Sequence, residues 1–460
     1  MIVVVGAGPA GTSAALAAAD AGAPVVLLDN APRAGGQHDR RPLVGRRSPS
    51  PREAALDAHP RIDHRPSTSV WAIEQGPDGT LVHTQQGPAD AARPVRTFRA
   101  GALILCTGAY DRVLPFPGWE LPGVVTAGAA QALVKGQGIP PGGRTLLSGT
   151  GPFLLPVASA LLSAGADLAG VYEAGSPTGW LRSPLAALRD GRSKLPELAA
   201  HAARLARHRV PYRTRTAVVA AHGRDRVESV TLARLGRDWT VRSSRCVEAD
   251  TVCVGYGFTP QLELAVAAGC ALRDGRFVAV DDTQATSVPG VYAAGEITGI
   301  GGAELAAAEG EVAGAAAAHG LADGAPAAAS STYGRRSAAA RVRSGRRFAA
   351  ALAAAHPVGP GWRSWLTDDT VVCRCEEVTY GDLRAAVEDR GADGMRTLKL
   401  TSRVGMGVCQ GRVCGRTAAE LAGVPESHRR PLAQPVRLGD LGAGPGRRTR
   451  EPGACEPGGL

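Results

Sequence analysis

The chain has 460 residues, 44% of them hydrophobic and 20% charged, with a formal net charge of +10. That length exceeds one ordinary core, so two or three domains are expected. Arginine carries the charge almost alone, the lysines being Lys135, Lys194 and Lys399, and aromatics make up 4%, so no basic stretch is interleaved with rings and a nucleic-acid surface is not expected.

The chain opens with Ile2-Val3-Val4-Val5-Gly6-Ala7-Gly8-Pro9-Ala10-Gly11 and continues, after a run of small residues, to Val25-Val26-Leu27-Leu28-Asp29. The first apolar run is short, broken by glycine and lacks a basic leader, so neither a signal peptide nor a transmembrane segment is expected. A buried strand, a glycine-rich turn, a helix over about 9–21 and a second strand ending in a carboxylate are the parts of a dinucleotide site in order. Gly6 permits the tight turn, Gly8 lets the backbone approach a pyrophosphate, and Gly11 lets the helix pack on the sheet. Pro9 and Ala10 open that helix, whose N-terminus offers free N–H groups to phosphate, and Asp29 can accept from a ribose hydroxyl pair.

Ala34-Gly35-Gly36-Gln37 is next a flexible turn, with Gly36 and Gln37 placed to pass a flavin edge; an ordinary loop is the alternative. Residues 38–66, rich in Arg, His and Pro, read as a surface excursion in which His38, His59 and His64 are solvated. Alternation predicts strands over 68–73 and 81–85, with Val70 placed for a backbone contact to adenine. Residues 102–109 form an apolar strand running into Thr107-Gly108, and the pattern returns at 251–257, as expected of strands that end beneath one cofactor and flank an inserted domain. Thr107 and Gly108 therefore join the candidate flavin contacts, while Cys106 and Cys253, alone in apolar strands, read as structural.

A second glycine-rich unit lies between those turns. Arg144–Ser148 reads as a strand, Gly149-Thr150-Gly151 as its turn, 155–164 as a helix, and Gly170-Val171-Tyr172-Glu173 as the next strand with its acid. Leu154 stands where the third glycine belongs and would hold helix and strand apart. NAD, another adenine nucleotide and an empty pocket all stay open for Gly149, Gly151 and Glu173; if NAD binds, Glu173 favours it over NADP by repelling a 2'-phosphate.

Val291-Tyr292-Ala293-Ala294-Gly295-Glu296 is a strand ending in an acid, followed by a glycine-rich turn and a helix over about 303–317. Gly295 and Glu296 are placed to bind a ribityl chain, forming the second half of one flavin site. The helix carries Glu304, Glu309 and Glu311 and is expected to stay in water. A linker helix is predicted over 335–354, and the Pro-, Gly- and Arg-rich sequence after 425 is expected to be extended, with Cys455 a bystander.

Of nine cysteines, Cys373-Arg374-Cys375 and Cys409-Gln410-Gly411-Arg412-Val413-Cys414 form two pairs separated by 33 residues. A helix over 380–390 and the apolar Leu398 and Leu400 lie between them, in a unit too small to be stable without a staple. Four thiolates suit a 2Fe-2S cluster. Gly405, Gly407 and Gly411 free backbone amides to approach the sulfurs, and Arg374 and Arg412 can offset the cluster's charge. Zinc and four unconnected thiols are the alternatives; structural zinc favours C-x2-C knuckles, a spacing neither pair has. The uneven cysteine placement argues against a secreted disulfide scaffold and for a cytoplasmic setting.

The segments Tyr110-Asp111-Arg112-Val113-Leu114-Pro115-Phe116-Pro117-Gly118-Trp119 and Leu121-Pro122-Gly123-Val124-Val125-Thr126, together with Gly295-Glu296-Ile297-Thr298-Gly299-Ile300-Gly301-Gly302 and the C-terminal cysteines, resemble a known family. It is that of the alpha subunits of multi-subunit FAD-dependent amino-acid and opine dehydrogenases, including those of opine oxidase, hydrogen cyanide synthase and hydroxyproline or proline dehydrogenase. The cysteine unit resembles a bacterioferritin-associated-ferredoxin-like domain. The resemblance implies an α/β, two-dinucleotide-binding-domain flavoprotein: tandem Rossmann-like domains, the second inserted in the first, plus a small C-terminal 2Fe-2S domain. Residues 1–118 and 251–325 would bind FAD, 119–250 form the inserted domain, 326–365 a helical linker, 366–424 the cluster domain and 425–460 an extended tail.

It further implies that the substrate, with a CH-NH donor group, is oxidised on a beta subunit of the D-amino-acid-oxidase type, while this chain relays electrons through FAD and the cluster held by Cys373, Cys375, Cys409 and Cys414. Some relatives hold FMN at a subunit interface. The chain begins at the strand before Gly6 and lacks the plant-type ferredoxin domain of other relatives, so a small 2Fe-2S gamma subunit is expected to supply it. Membrane association would come only through the complex. The alternative is a stand-alone NAD(P)H-dependent flavoprotein reductase, and no catalytic residue is identified.

Overall fold

The computed structural model describes residues 1–42, 48–76, 79–88, 91, 93–182, 189–321, 332–426 and 432–442. Its first sheet is wholly parallel, in the order Val291–Ala293, Ala102–Leu105, Ile2–Val5, Val25–Leu28 and Ile62–Arg65. The Val, Ile and Leu runs of its central strands are buried on both faces, which is why they lack alternation. The edge strand Ile62–Arg65 corrects the expectation of a surface excursion: Ser50 and Glu53 form a capping box on the helix Pro51–Ala58, which leads the chain back to the sheet.

Helix Pro9–Asp20 crosses this sheet with the helix Ala303–Leu321 packed against it. A Cβ on Gly310 would lie 2.0 Å from the Ala10 carbonyl oxygen, and one on Gly314 2.1 Å from that of Ala14, so the two backbones touch. The second helix is therefore buried along its Ala/Gly face, and Glu309 within it is only 1% exposed.

A second parallel sheet runs Tyr212–Thr214, Asp167–Glu173, Arg144–Gly149, Thr251–Gly255 and Val124–Thr126. All its strands fall between Ala102–Leu105 and Val291–Ala293 in the chain, so this unit is set within the first. Antiparallel three-stranded sheets flank each: Thr68–Gly76, Gly79–Gln86 and Val95–Ala100 beside the first, and Thr216–His222, Ser229–Leu235 and Val241–Glu248 beside the second.

The linker helix spans Thr332–Ala355, and a 3-10 turn, Pro360–Trp365, leads into the cysteine unit. There a two-stranded ribbon, Val371–Cys373 with Val378–Thr379, and helices Tyr380–Glu388, Met395–Ser402 and Gly415–Ala422 enclose a core of Val372, Leu383, Ala386, Leu398 and Val404. Leu400 points out of it, 69% exposed. The tail is not simply extended: Ala433 N donates to Trp71 O at 2.7 Å, and Leu438–Gly442 is helical. Cys455 lies outside the described residues.

Candidate functional site

The glycine-rich turn is dictated by close backbone approaches. Gly6 has φ of +101°, and a Cβ on it would lie 2.3 Å from Cys106 O; a Cβ on Gly11 would lie 1.6 Å from Gly6 O. Gly8 has open space: a Cβ there would meet nothing nearer than the Gly36 Cα at 3.9 Å, so the two glycines border a groove of bare backbone. Gly35 N donates to Ala7 O at 2.8 Å, which seats the Gly36-Gln37 turn there. Gln37 Oε1 accepts from Arg40.

Asp29 is 7% exposed and orders the same turn: Oδ2 accepts from Ala7 N, and Oδ1 from Ala31 N at 2.7 Å. Burial raises its pKa against the pull of those amides. Thr68 N donates to Asp29 O, which places buried Val70 two residues from the turn. On the other side, Thr107 Oγ1 donates to Gln261 O at 2.7 Å, and Gly108 takes φ of +81° with nothing crowding it.

The distant half arrives through Gly295, whose Cβ would lie 2.9 Å from that of Ala10. Glu296 Oε1 accepts from Gly302 N at 2.8 Å and Gly301 N at 3.4 Å, and burial raises its pKa. Sequence reasoning missed Glu309, whose Oε2 accepts from Gly295 N at 2.9 Å and Thr298 Oγ1 at 2.8 Å. A stretch of bare glycine backbone, a helix N-terminus and a carboxylate with one lone pair left on each oxygen fit a dinucleotide.

In the cysteine unit, the thiols of Cys373 and Cys409 each meet that of Cys414, and Cys409 also meets Cys375. Among the described residues, no group of three or more His, Cys, Asp or Glu closes round a single ion. Four cysteine sulfurs gathered in one small unit fit the four thiolates that a 2Fe-2S cluster takes. Hydrogen bonding from Cys414, then backbone amides that include Gly405, bring the Cys373 thiol down to about 6; Cys414 and then the Val413 and Gly411 amides bring Cys409 to about 4. Gly405 and Gly411 are two of the three glycines whose amides are expected at the sulfurs. Gly407 is obligatory because a Cβ would lie 2.2 Å from that of Cys375.

The two arginines do something else. Arg374 lies over the Trp119 ring, 3.9 Å from its centroid. Arg412 donates from Nε to Tyr110 Oη at 2.8 Å, pairs with Glu263 at 3.0 Å, and reaches Ala433 O. Thr417 Oγ1 donates to Val113 O at 2.7 Å, Arg112 pairs with Glu420 at 2.6 Å, and Trp119 Nε1 donates to Val371 O. The segment 110–119 is thus the face on which the cysteine unit docks, and it leaves the Thr107-Gly108 turn directly.

Residues 1–320 match the pyridine nucleotide-disulphide oxidoreductase family and residues 371–422 the BFD-like [2Fe-2S] binding domain. The A subunit of opine oxidase from Agrobacterium tumefaciens (strain Ach5) is 34% identical, spanning 96% of this chain and 91% of that one. The HcnB subunit of hydrogen cyanide synthase from Pseudomonas aeruginosa is also 34% identical, spanning 90% of each. The chain belongs to the family of HcnB and the opine oxidase A subunits.

This relative of HcnB is an oxidoreductase; its two matched regions imply FAD and a 2Fe-2S cluster. L-proline dehydrogenase from P. horikoshii shares its fold, with a TM-score of 0.66 at 18% identity over 96% of this chain and 78% of that one. No helix among the described residues is long and apolar enough to cross a membrane. The chain has no C-x-x-C pair. Cys253 is buried within a strand and Cys106 just past the end of one, and burial pushes both pKa values up, Cys253 to about 12.

Proposed function

We propose that this chain is the electron-relaying alpha subunit of an FAD-dependent dehydrogenase or oxidase complex acting on an amino acid, imino acid or opine. One observation carries the reading: the unit bearing Cys373, Cys375, Cys409 and Cys414 is seated on 110–119, the segment leaving the Thr107-Gly108 turn. When bound, FAD supplies a two-electron acceptor and the cluster a one-electron exit. The chain's own residues orient both: the Gly6–Gly11 turn, Asp29 and the Gly295 turn hold one, and the glycine amides beside Cys373 and Cys409 the other.

Relatives named as subunits of opine oxidase and hydrogen cyanide synthase support a hetero-oligomer, as does the alpha subunit of sarcosine oxidase from Corynebacterium, 27% identical over 69% of this chain. In this reading the substrate is oxidised on a D-amino-acid-oxidase-type beta subunit, a small 2Fe-2S gamma subunit completes the complex, FMN sits at a subunit interface, and the setting is cytoplasmic. Co-purification from the native host, with assay of FAD, iron and acid-labile sulfide, tests the composition. Dye reduction by amino acids and opines is expected only with the beta subunit present.

A further inference from the structure

The two glycine turns can be compared position by position, with Gly149, Gly151, Pro152, Phe153 and Leu154 standing where Gly6, Gly8, Pro9, Ala10 and Gly11 do. Three differences separate them. The first helix begins at Pro9, directly after Gly8, whereas the second begins at Leu154, two residues past the matching position. The Leu154 and Leu155 amides donate to Gly151 O and Pro152 O, at 3.3 and 3.1 Å. The Phe153 ring packs edge-on against Phe258, 4.9 Å between centroids. Amides that would face a pyrophosphate are drawn back, with a ring beside them.

The acids differ too. Asp29 accepts one N–H on each oxygen, leaving a lone pair on each for a ribose diol. Glu173 has both oxygens filled: Oε1 accepts from Thr150 Oγ1 at 2.6 Å and Gly175 N at 2.8 Å, and Oε2 from Gly151 N at 2.8 Å and Tyr212 Oη at 3.5 Å.

Finally, the end of the linker helix lies over the acid. The 3-10 turn Pro177–Arg182 follows Glu173, and a Cβ on Gly179 would lie 2.0 Å from Ala355 O. Arg182 Nη1 donates to Ala354 O, and Trp180 stacks on Phe348 and meets His356 edge-on at 5.6 Å. The His356 side chain is 14% exposed, with Nδ1 4.0 Å from Glu173 Oε1. Just beyond, Trp365 stacks on Trp239 with the planes 8° apart and donates to its carbonyl at 3.1 Å.

We infer that the end of the linker helix, with His356 set against Trp180 of the 3-10 turn, occupies the adenosine end of the second nucleotide site, so that this site takes no nicotinamide dinucleotide. The unit is instead the seat that fixes the linker, and with it the cysteine unit. The pyridine nucleotide in the family's name has no fit here, and electrons do not enter from NADH or NADPH. This inference stands independently of the relay reading.

The test uses the full-length protein with its FAD, titrated anaerobically by calorimetry with NADH, NADPH and ADP-ribose while flavin absorbance is followed. No saturable binding of any of the three up to on the order of 1 mM, and no bleaching, is expected. Saturable binding of any one overturns the inference; without bleaching it leaves the relay reading intact, whereas bleaching by NADH removes both. Independently, His356 should react with diethyl pyrocarbonate far more slowly than the exposed His208, with or without NADH. Equal modification rates in the folded protein would contradict the plug.

Discussion

Arg346 of the linker helix closes a pair with Glu309, Nε standing 2.9 Å from Oε1, while the other carboxylate oxygen holds Gly295 and Thr298. The linker thereby braces the turn that completes the candidate flavin site. Glu309 is almost fully buried, so removing Arg346 leaves its charge without a counter-ion. Arg346→Met should cost about 3 kcal/mol and speed FAD release, read by denaturant unfolding and flavin fluorescence. Glu309→Gln added to it should recover part of the loss.

Gly8 and Gly11 should behave differently although they share one motif. Gly11→Ala places a methyl 1.6 Å from a carbonyl oxygen and is expected to abolish soluble folding. Gly8→Ala meets nothing closer than 3.9 Å in the protein, yet puts its methyl where the pyrophosphate approaches. Native circular dichroism with FAD affinity weakened at least about tenfold, or about 1.4 kcal/mol, is the expected result.

Cys409→Ser and Cys373→Ser should each lose the iron while keeping FAD, because the thiols lie in a unit with its own core. Cys246→Ser, at an exposed strand position, should leave the iron content unchanged. Iron and sulfide assays beside the visible flavin spectrum separate these outcomes.

Glu420 joins the cysteine unit to Arg112 at 2.6 Å and Arg276 at 3.6 Å, with Arg416 at 3.1 Å on its own helix. Burial alone would raise its pKa, but Arg112 and Arg416 outweigh that and hold it below the ordinary value of 4.5. Its stabilising contribution is therefore present above pH 4.5 and lost as pH falls through the lower folded value. Glu420→Gln should cost about 3 kcal/mol near neutral pH and flatten the acid limb of the unfolding profile.

Both cofactor motifs were legible because their evidence is local. Strand, turn, helix and acid occupy residues 2–29, and two close cysteine pairs mark the unit that matches the BFD-like [2Fe-2S] binding domain. The edge strand Ile62–Arg65 was missed since Asp63 and Arg65, 48% and 37% exposed, pair with each other and hide any apolar pattern. Glu309 read as a solvating charge because its partner, Arg346, lies 37 residues away on another helix. The segment 110–119 was recognised by resemblance, but its physical role depends on partners some 250 to 310 residues downstream, as with Arg112 and Glu420, 308 apart, and Trp119 with Val371, 252 apart. Periodicity and spacing carry no signal over such separations.

Passing electrons on, rather than taking them from substrate itself, is the role proposed for this chain. Its most direct test is anaerobic mixing of the purified chain with proline or an opine, with and without the beta subunit, following flavin absorbance and the electron paramagnetic resonance of the cluster. No reduction by the chain alone is expected, and bleached flavin with a reduced-cluster signal once the beta subunit is added. Oxidation of the substrate by the isolated chain, with an artificial acceptor, would contradict it.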